Sequence, residues 1–225
     1  MSKISVILTA GGIGKRMGGD LPKQFIHLSG KPILLRTLEC FHNIDSSFEL
    51  VITLPIDWHN HWRTVLQEFN CDIPHTLVVG GEERFHSIKN ALEVCTGDSI
   101  FVHDGVRPFV VKEIIQECMN SLKTNDAVVP VLPIKESIRE RHGKITRAVD
   151  RSNFMLVQTP QCFRSSVLRD AYNLVYHSGI TDDASLVESL GIEVQLVDGN
   201  EDNIKITTQK DLIIAEAILA NQNKE

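Results

Sequence analysis

Six short apolar runs recur along the chain, at Ile4–Thr9, Leu50–Leu54, Thr76–Val79, Ile100–His103, Ala127–Leu132 and Glu193–Val197. Each has the length and composition of a strand. Helical periodicity fills the gaps between them. Residues 32–42 begin with Pro32 at a first-turn position. Residues 58–69 set Trp58, Trp62, Val65, Leu66 and Phe69 on one stripe, with Asp57 as the expected cap. Residues 84–95 and 111–122 follow the same pattern, as does 208–220 behind Thr208. Strands alternating with helices of this length predict an α/β protein: a Rossmann-like, mostly parallel sheet with helices on both faces, residues 1–225 forming one domain. Ligands of such sheets bind beyond the carboxyl ends of the strands. A glycine loop after the first strand, "GGEER" after the third and "HDGVRPF" after the fourth all fall on that edge.

The stretch from Lys135 to Pro160 breaks the alternation. It is charged, it alternates in polarity, and His142–Gly143 is a turn signal. It predicts a β-hairpin arm, 135–160, projecting from the sheet. An isolated hairpin is marginal in water, so the arm calls for a partner chain unless it packs on its own domain.

Composition adds limits. With 225 residues, 42% hydrophobic and 23% charged, the chain can bury a full core. Its apolar runs are far too short to span a membrane. Lys3 and the apolar stretch after it weakly mimic a leader, but glycines and Lys15–Arg16 follow instead of a small-residue cleavage site. The five cysteines are scattered and form no C-x-x-C, which suits a reducing cytoplasm. A net charge of −6 argues against a nucleic-acid or membrane partner. Residues 1–31 nevertheless carry Lys3, Lys15, Arg16, Lys23 and Lys31 against the single acid Asp20. A basic pocket on an acidic protein points to a small anionic substrate.

The segment "LTAGGIGKRMGGDLPKQF" (8–25) is neither of two familiar phosphate loops. A dinucleotide fingerprint from Gly12 would need glycine where Met17 stands. A Walker loop ending on Gly14–Lys15 would need glycine at Thr9 and a hydroxyl at Arg16. Gly11, Gly12 and Gly14 still let backbone N–H groups approach an anion closely. Lys15 and Arg16 add charge, and Pro22 stiffens the backbone that presents Lys23. This suits nucleotidyl transfer, where donors cluster on a triphosphate; the plain alternative is a glycine-rich turn with solvated lysines.

Six motifs extend the pattern: "AGGIGKRM…LPKQF", "GGEERFHSI", "HDGVRPF", "VDRSNFMLVQTPQCF", "TDDAS" and "DNIKIT". In order and spacing the chain resembles the 2-C-methyl-D-erythritol 4-phosphate cytidylyltransferases of the non-mevalonate isoprenoid pathway, over essentially its whole length. The first motif alone is shared by many sugar-phosphate nucleotidyltransferases. The resemblance implies that Ala10, Gly11, Gly12 and Gly14 lie against the cytidine and its phosphates, with Arg16 and Lys23 as the catalytic cations. Gly81, Glu82 and Ser87 would face the cytosine. Asp104 and Arg107 would sit between nucleotide and sugar phosphate, Asp104 near a Mg²⁺ ion otherwise carried by the CTP phosphates. Thr159, Thr181 and Lys205 would line the same cavity, Lys205 also as a catalytic cation. The arm would cross to a second subunit in a homodimer, bringing Ser137 and Arg151 to the methylerythritol phosphate, with Arg151 counted among the catalytic residues. The chain departs from the family pattern at Thr9 (usually proline), Glu82 (often aspartate), Ser137 (threonine) and "TDDAS" (commonly "TDEAS"). Glu82 and Ser137 keep the chemistry of the residues they replace.

The expected reaction needs no general base. A phosphate monoester has a second pKa of about 6 and is mostly dianionic at neutral pH. That fits a sequence without G-x-S-x-G or an obvious Cys/His pair. Its oxygen would attack the α-phosphorus of CTP in line, with Mg²⁺, Arg16 and Lys23 offsetting charge as pyrophosphate leaves. Two alternatives stand beside it. A ribitol 5-phosphate cytidylyltransferase would share "GGIG" and "TPQ" but lack "VDR" and "TDDAS", so Arg151 and Thr181 discriminate. A non-catalytic nucleotide-binding protein would have no need of the α-phosphate clamp.

Other conspicuous residues have plainer explanations. His59 and His61 in "WHNHW" lie at i,i+2 on a helix and face different ways, unlike a metal pair. His103 ends a strand, where local hydrogen bonding is expected over acid–base work. Arg107 precedes Pro108 in a turn, but at the binding edge. Asp182–Asp183 is either a metal-binding pair or a helix start, and the helix start is the expectation.

Overall fold

The computed structural model describes residues 3–12 and 21–222. In chain order the elements are β1 (Ile4–Thr9), β2 (His27–Leu28), β3 (Lys31–Pro32), α1 (Ile33–Ile44), β4 (Glu49–Leu54), α2 (His59–Glu68), β5 (Thr76–Val79) and α3 (Arg84–Leu92). They continue with β6 (Ser99–Asp104), α4 (Lys112–Ser121), β7 (Ala127–Pro133), β8 (Arg139–His142), β9 (Ile145–Ala148), β10 (Met155–Val157) and β11 (Gln161–Arg164). The last four are α5 (Ser165–Tyr172), α6 (Asp183–Glu188), β12 (Val194–Asp198) and α7 (Gln209–Gln222).

The sheet runs β5–β4–β1–β6–β11–β7–β12, and β10 extends along β7 on the β11 side. Strands β5, β4, β1 and β6 are parallel, as are β12 and β7; β10 and β11 run against their neighbours. The expected mostly parallel α/β sheet is therefore present, with an antiparallel insertion. Both faces are covered, which is why the strand sequences read as continuous apolar runs. Alternation along β1 sends Ile4, Val6 and Leu8 into one core with α1, α2 and α4. Ile7 goes to the opposite core with α3, α5 and α6.

Two helix starts differ from expectation. Pro32 precedes α1 as its cap, with extended ψ of 138°, rather than occupying its first turn. Asp57 does not cap α2: the turn Ile56–Trp58, closed by Trp58 N–H donating to Pro55 O at 3.0 Å, leads into the helix in its place. Thr208 does cap α7, its hydroxyl accepting from Asp211 N–H at 3.2 Å.

A hairpin stands apart from the sheet, as β8 paired with β9 from Arg139↔Ala148 to His142↔Ile145. Its turn places Gly143 at φ 61°, a conformation glycine adopts at little cost. The hairpin is shorter than the expected 135–160. Met155–Val157 belong to the main sheet as β10, because their backbone pairs with Val131–Pro133 of β7. Met155, Leu156 and Val157 on that strand, and Phe154 just before it, are all about half exposed.

Candidate active site

The carboxyl ends of β1, β4, β5 and β6 converge on one rim. Ala10 leaves β1 with its N–H on Thr53 O at 3.0 Å, and Gly80 leaves β5 with its N–H on Leu54 O at 2.8 Å. The two loops thus hang from the same strand, β4. Gly81 must be glycine, because a Cβ there would lie 2.3 Å from His86 Cβ. Its N–H donates to Ser87 Oγ at 3.0 Å, and that hydroxyl donates to Glu83 O at 3.1 Å, closing the turn into α3. Lys23 extends across Gly12, where a Cβ would meet its Cε at 3.3 Å.

Between these loops lies a cavity of about 310 Å³. Ala10, Gly11, Gly12, Lys23, Gly81, Glu82, Ser87, Asp104 and Lys205 all line it, so the described residues expected around the nucleotide come together. Gly14 and Arg16 lie outside the described residues. A second cavity of about 350 Å³ adjoins it, lined by Arg107, Thr159, Thr181, Gln158, Gln161 and Asp182 among others. Arg84, Asp104 and Lys205 line both cavities and form the wall between them.

Asp104 anchors that wall. Its Oδ1 accepts from Lys205 Nζ at 3.0 Å and its Oδ2 from Arg107 Nε at 2.9 Å. Burial alone would raise its pKa, but the charges of Lys205, Arg107 and Arg84 outweigh burial and hold the carboxyl well below the usual range. Arg107 is mostly buried, and its Nη1 also donates to Asn203 O at 2.7 Å. Arg84 grips Asp183 with two bonds, 2.9 and 2.6 Å, and Tyr172 OH donates to the same carboxylate at 2.5 Å.

His103 is buried beside Phe41, ring centroids 4.8 Å apart. Burial lowers its pKa to about 4, so it is neutral at pH 7. It bonds Arg107 O and the Thr159 hydroxyl, the local role expected of it. His59 is also tied locally, to Leu54 O at 3.0 Å, while His61 packs edge-on against Phe25 and Trp58. The helix start at Asp182 is present as a capping box with Ser185, and Asp183 is taken by Arg84.

Ser137 and Arg151 stand apart. Both are exposed, neither lines either cavity, and the Arg151 guanidinium donates to Lys135 O at the base of the hairpin. Sequence reasoning missed Arg84, Gln24, Gln161 and Asn203. Arg84 was masked by the two acids before it in "GGEER", although a cation opening a helix behind a strand end is a usable signal. Gln24 is buried beside Lys23, donating from Nε2 to Ala10 O at 2.6 Å. Gln161 Oε1 accepts from the N–H groups of Asp183 and Ala184, both at 3.0 Å, and so fixes the start of α6. Asn203 Nδ2 donates to Thr159 O at 2.8 Å.

Among the described residues no group of three or more His, Cys, Asp or Glu side chains is placed to hold a metal. Both oxygens of Asp104 already face cations. That donor set fits a divalent ion delivered on a triphosphate with at most one protein carboxylate, the usual habit of Mg²⁺. No helix among the described residues is long and apolar enough to cross a membrane.

Residues 4–221 match the family model described as 2-C-methyl-D-erythritol 4-phosphate cytidylyltransferase. The chain is 45% identical to the protein of that name from Phocaeicola vulgatus, over 95% of this chain and 98% of that one. Against its namesake in Bacteroides fragilis the identity is 44%, over 96% and 99%. Among solved structures, the 4-diphosphocytidyl-2C-methyl-D-erythritol synthase of Anaerococcus prevotii superposes with a TM-score of 0.85 at 28% identity, covering 97% of this chain and 96% of that one. The 2-C-methyl-D-erythritol 4-phosphate cytidylyltransferase of Thermus thermophilus gives 0.77 at 30% identity, covering 98% and 100%.

Proposed function

The chain belongs to the 2-C-methyl-D-erythritol 4-phosphate cytidylyltransferase family, and from that premise we propose how its residues divide the work. The reaction joins CTP and 2-C-methyl-D-erythritol 4-phosphate into 4-diphosphocytidyl-2-C-methyl-D-erythritol and pyrophosphate. A phosphate oxygen of the acceptor forms the new bond to the α-phosphorus, and the bond from the α-phosphorus to the bridging oxygen of pyrophosphate breaks. The relatives favour this acceptor over ribitol 5-phosphate, and catalysis over mere nucleotide binding.

The observation that carries the assignment of roles is the pair of adjoining cavities with Arg84, Asp104 and Lys205 in the shared wall. CTP occupies the first, with Gly81, Glu82 and Ser87 at the cytosine and Ala10, Gly11 and Gly12 along the ribose and phosphates. Gly14, Arg16 and Lys23 complete the triphosphate clamp. The polyol phosphate occupies the second cavity, against Thr159 and Thr181. Lys205 sits where the two meet and neutralises charge at the reacting phosphates. Arg107 acts through Asp104, since its Nε and Nη1 are both engaged inside the protein. Asp104 is the carboxylate beside which a Mg²⁺ carried by CTP would sit, where the ion would supply charge neutralisation on the triphosphate.

Ser137 and Arg151 serve the site of a second subunit in a homodimer. The half-exposed apolar segment of Phe154 and β10 beside the hairpin is the surface such a dimer would cover. Five unpaired thiols suit a cytoplasmic enzyme. Pyrophosphate release with CTP and Mg²⁺, comparing methylerythritol 4-phosphate and ribitol 5-phosphate, tests the assignment. Release with the first alone is expected; release with the second alone would retain the chemistry and overturn the acceptor.

A further inference from the structure

The hydrogen bonds around His103 run in one direction only. Its Nε2 lies 2.9 Å from Arg107 O. A carbonyl oxygen can only accept, so Nε2 carries the proton. In the neutral ring Nδ1 is then an acceptor. Its neighbour at 3.1 Å is the Thr159 hydroxyl, which must therefore donate to it. The same hydroxyl oxygen accepts from Asp104 N–H at 3.1 Å. The order is fixed throughout: Asp104 N–H to Thr159 Oγ1, Thr159 O–H to His103 Nδ1, and His103 Nε2–H to Arg107 O.

Resting on the function proposed above, we infer that His103 is a positioning residue for the acceptor cavity, and that it makes Thr159 an acceptor there. With its one proton committed to Nδ1, Thr159 Oγ1 can offer the cavity only a lone pair. It can receive a hydrogen bond from a hydroxyl of the polyol. It cannot donate to a phosphate oxygen, so it helps keep the acceptor's charged end away from its own side of the cavity and towards Lys205. His103 thereby sets polarity in the second cavity and leaves the first untouched.

Two measurements test this. The ¹⁵N shifts of the imidazole nitrogens in the intact protein at neutral pH, assigned through the bonds that link the His103 ring to its own backbone, should show the Nε2–H tautomer. An Nδ1–H tautomer would overturn the inference whatever the enzyme catalyses, which separates it from a failure of the functional assignment. The second measurement is steady-state kinetics of His103→Gln and His103→Asn. The Gln amide reaches the place of Nε2 and loses the acceptor for Thr159; the Asn amide reaches the place of Nδ1 and keeps it. His103→Gln should raise KM for the polyol phosphate about tenfold while moving KM for CTP less than about twofold. His103→Asn should lie nearer the wild type. A merely structural histidine would make the two variants alike or raise both KM values together, and either result would overturn the inference. If neither variant folds, the tautomer in the wild type decides alone.

Discussion

Arg84→Met is the most informative single change outside the glycine loops. The guanidinium makes two bonds to Asp183, whose side chain is 0% exposed, while Arg84 itself is 33% exposed. Methionine keeps an apolar stem but leaves the carboxylate buried with Tyr172 OH and no counter-charge. Breaking a buried pair from one side costs about 3–5 kcal/mol. The retained tyrosine bond and the part-exposed partner put this case near the lower end, at about 3 kcal/mol. For a chain of this size, about 2–4 °C of melting temperature is lost per kcal/mol, so a fall of about 6–12 °C is expected. Calorimetry or urea unfolding would measure it. Adding Asp183→Asn removes the stranded charge, and the double variant should recover part of the loss even though it lacks both charged groups. A drop below about 1 kcal/mol in the single variant, or no recovery in the double, would refute the claim that this pair fixes α3 against α6 behind the wall of the site.

Lys23→Ala should cut turnover far more than it weakens CTP binding; equal falls in kcat and CTP affinity would make Lys23 a binding residue only. Glu49 accepts from Lys3 Nζ at 2.9 Å, from Thr96 N–H at 2.7 Å and from the Ser5 hydroxyl; burial alone would raise its pKa, yet these bonds lower it to about 2. A depressed carboxylate stabilises the fold above its ordinary pKa and loses that contribution as pH falls from 4.5 towards 2. Glu49→Gln should therefore be less stable by about 1–2 kcal/mol at pH 7, with the gap closing across that acid range in pH-dependent urea unfolding. Leu156→Asp places a charge on the exposed strand β10 and should yield a monomer by light scattering at micromolar concentration, with turnover lost because Ser137 and Arg151 no longer reach a partner's site; an active monomer would sink the shared-site proposal.

The legible parts of the fold were those whose local pattern and tertiary setting agree. Ile4–Leu8 and Leu50–Leu54 read as buried strands because both sheet faces are covered, leaving no polar interruption. The antiparallel insertion was harder to see. Met155–Val157 and Gln161–Arg164 are each shorter than a usual strand, and "QTP" divides them. Only their pairing with β7 and β6 reveals them as part of one sheet. Helix α5 hid for a related reason, following β11 with no glycine, proline or capping side chain to mark its start. At the site, glycines and exposed-looking cations carry a spacing that can be recognised. Gln24, Gln161 and Asn203 support it from behind, with amides whose partners are backbone groups distant in sequence, and single residues give no hint of such bonds.

The two cations on Asp104 show how one carboxylate can separate structure from chemistry. Arg107 Nε and Lys205 Nζ sit at nearly equal distances, 2.9 and 3.0 Å, so bond length does not tell them apart. Their surroundings do. The Arg107 side chain is 12% exposed and carries a second bond to Asn203 O, so moving it would break two buried hydrogen bonds at once. The Lys205 side chain is 41% exposed, and among the described residues its one bonded partner is Asp104. A compact ammonium on a flexible stem can exchange that carboxylate for a phosphate oxygen at small cost, whereas a planar guanidinium with two fixed acceptors cannot. In the site proposed above, a triphosphate in the first cavity would draw Lys205 rather than Arg107 towards it, and Arg107 would keep Asp104 from being left unpaired. Arg107→Lys should then disturb the site more than Lys205→Arg, because only the former removes a fork that holds two groups at once. Comparing the two variants' kcat/KM checks it, and the reverse ranking would place the mobile charge at Arg107.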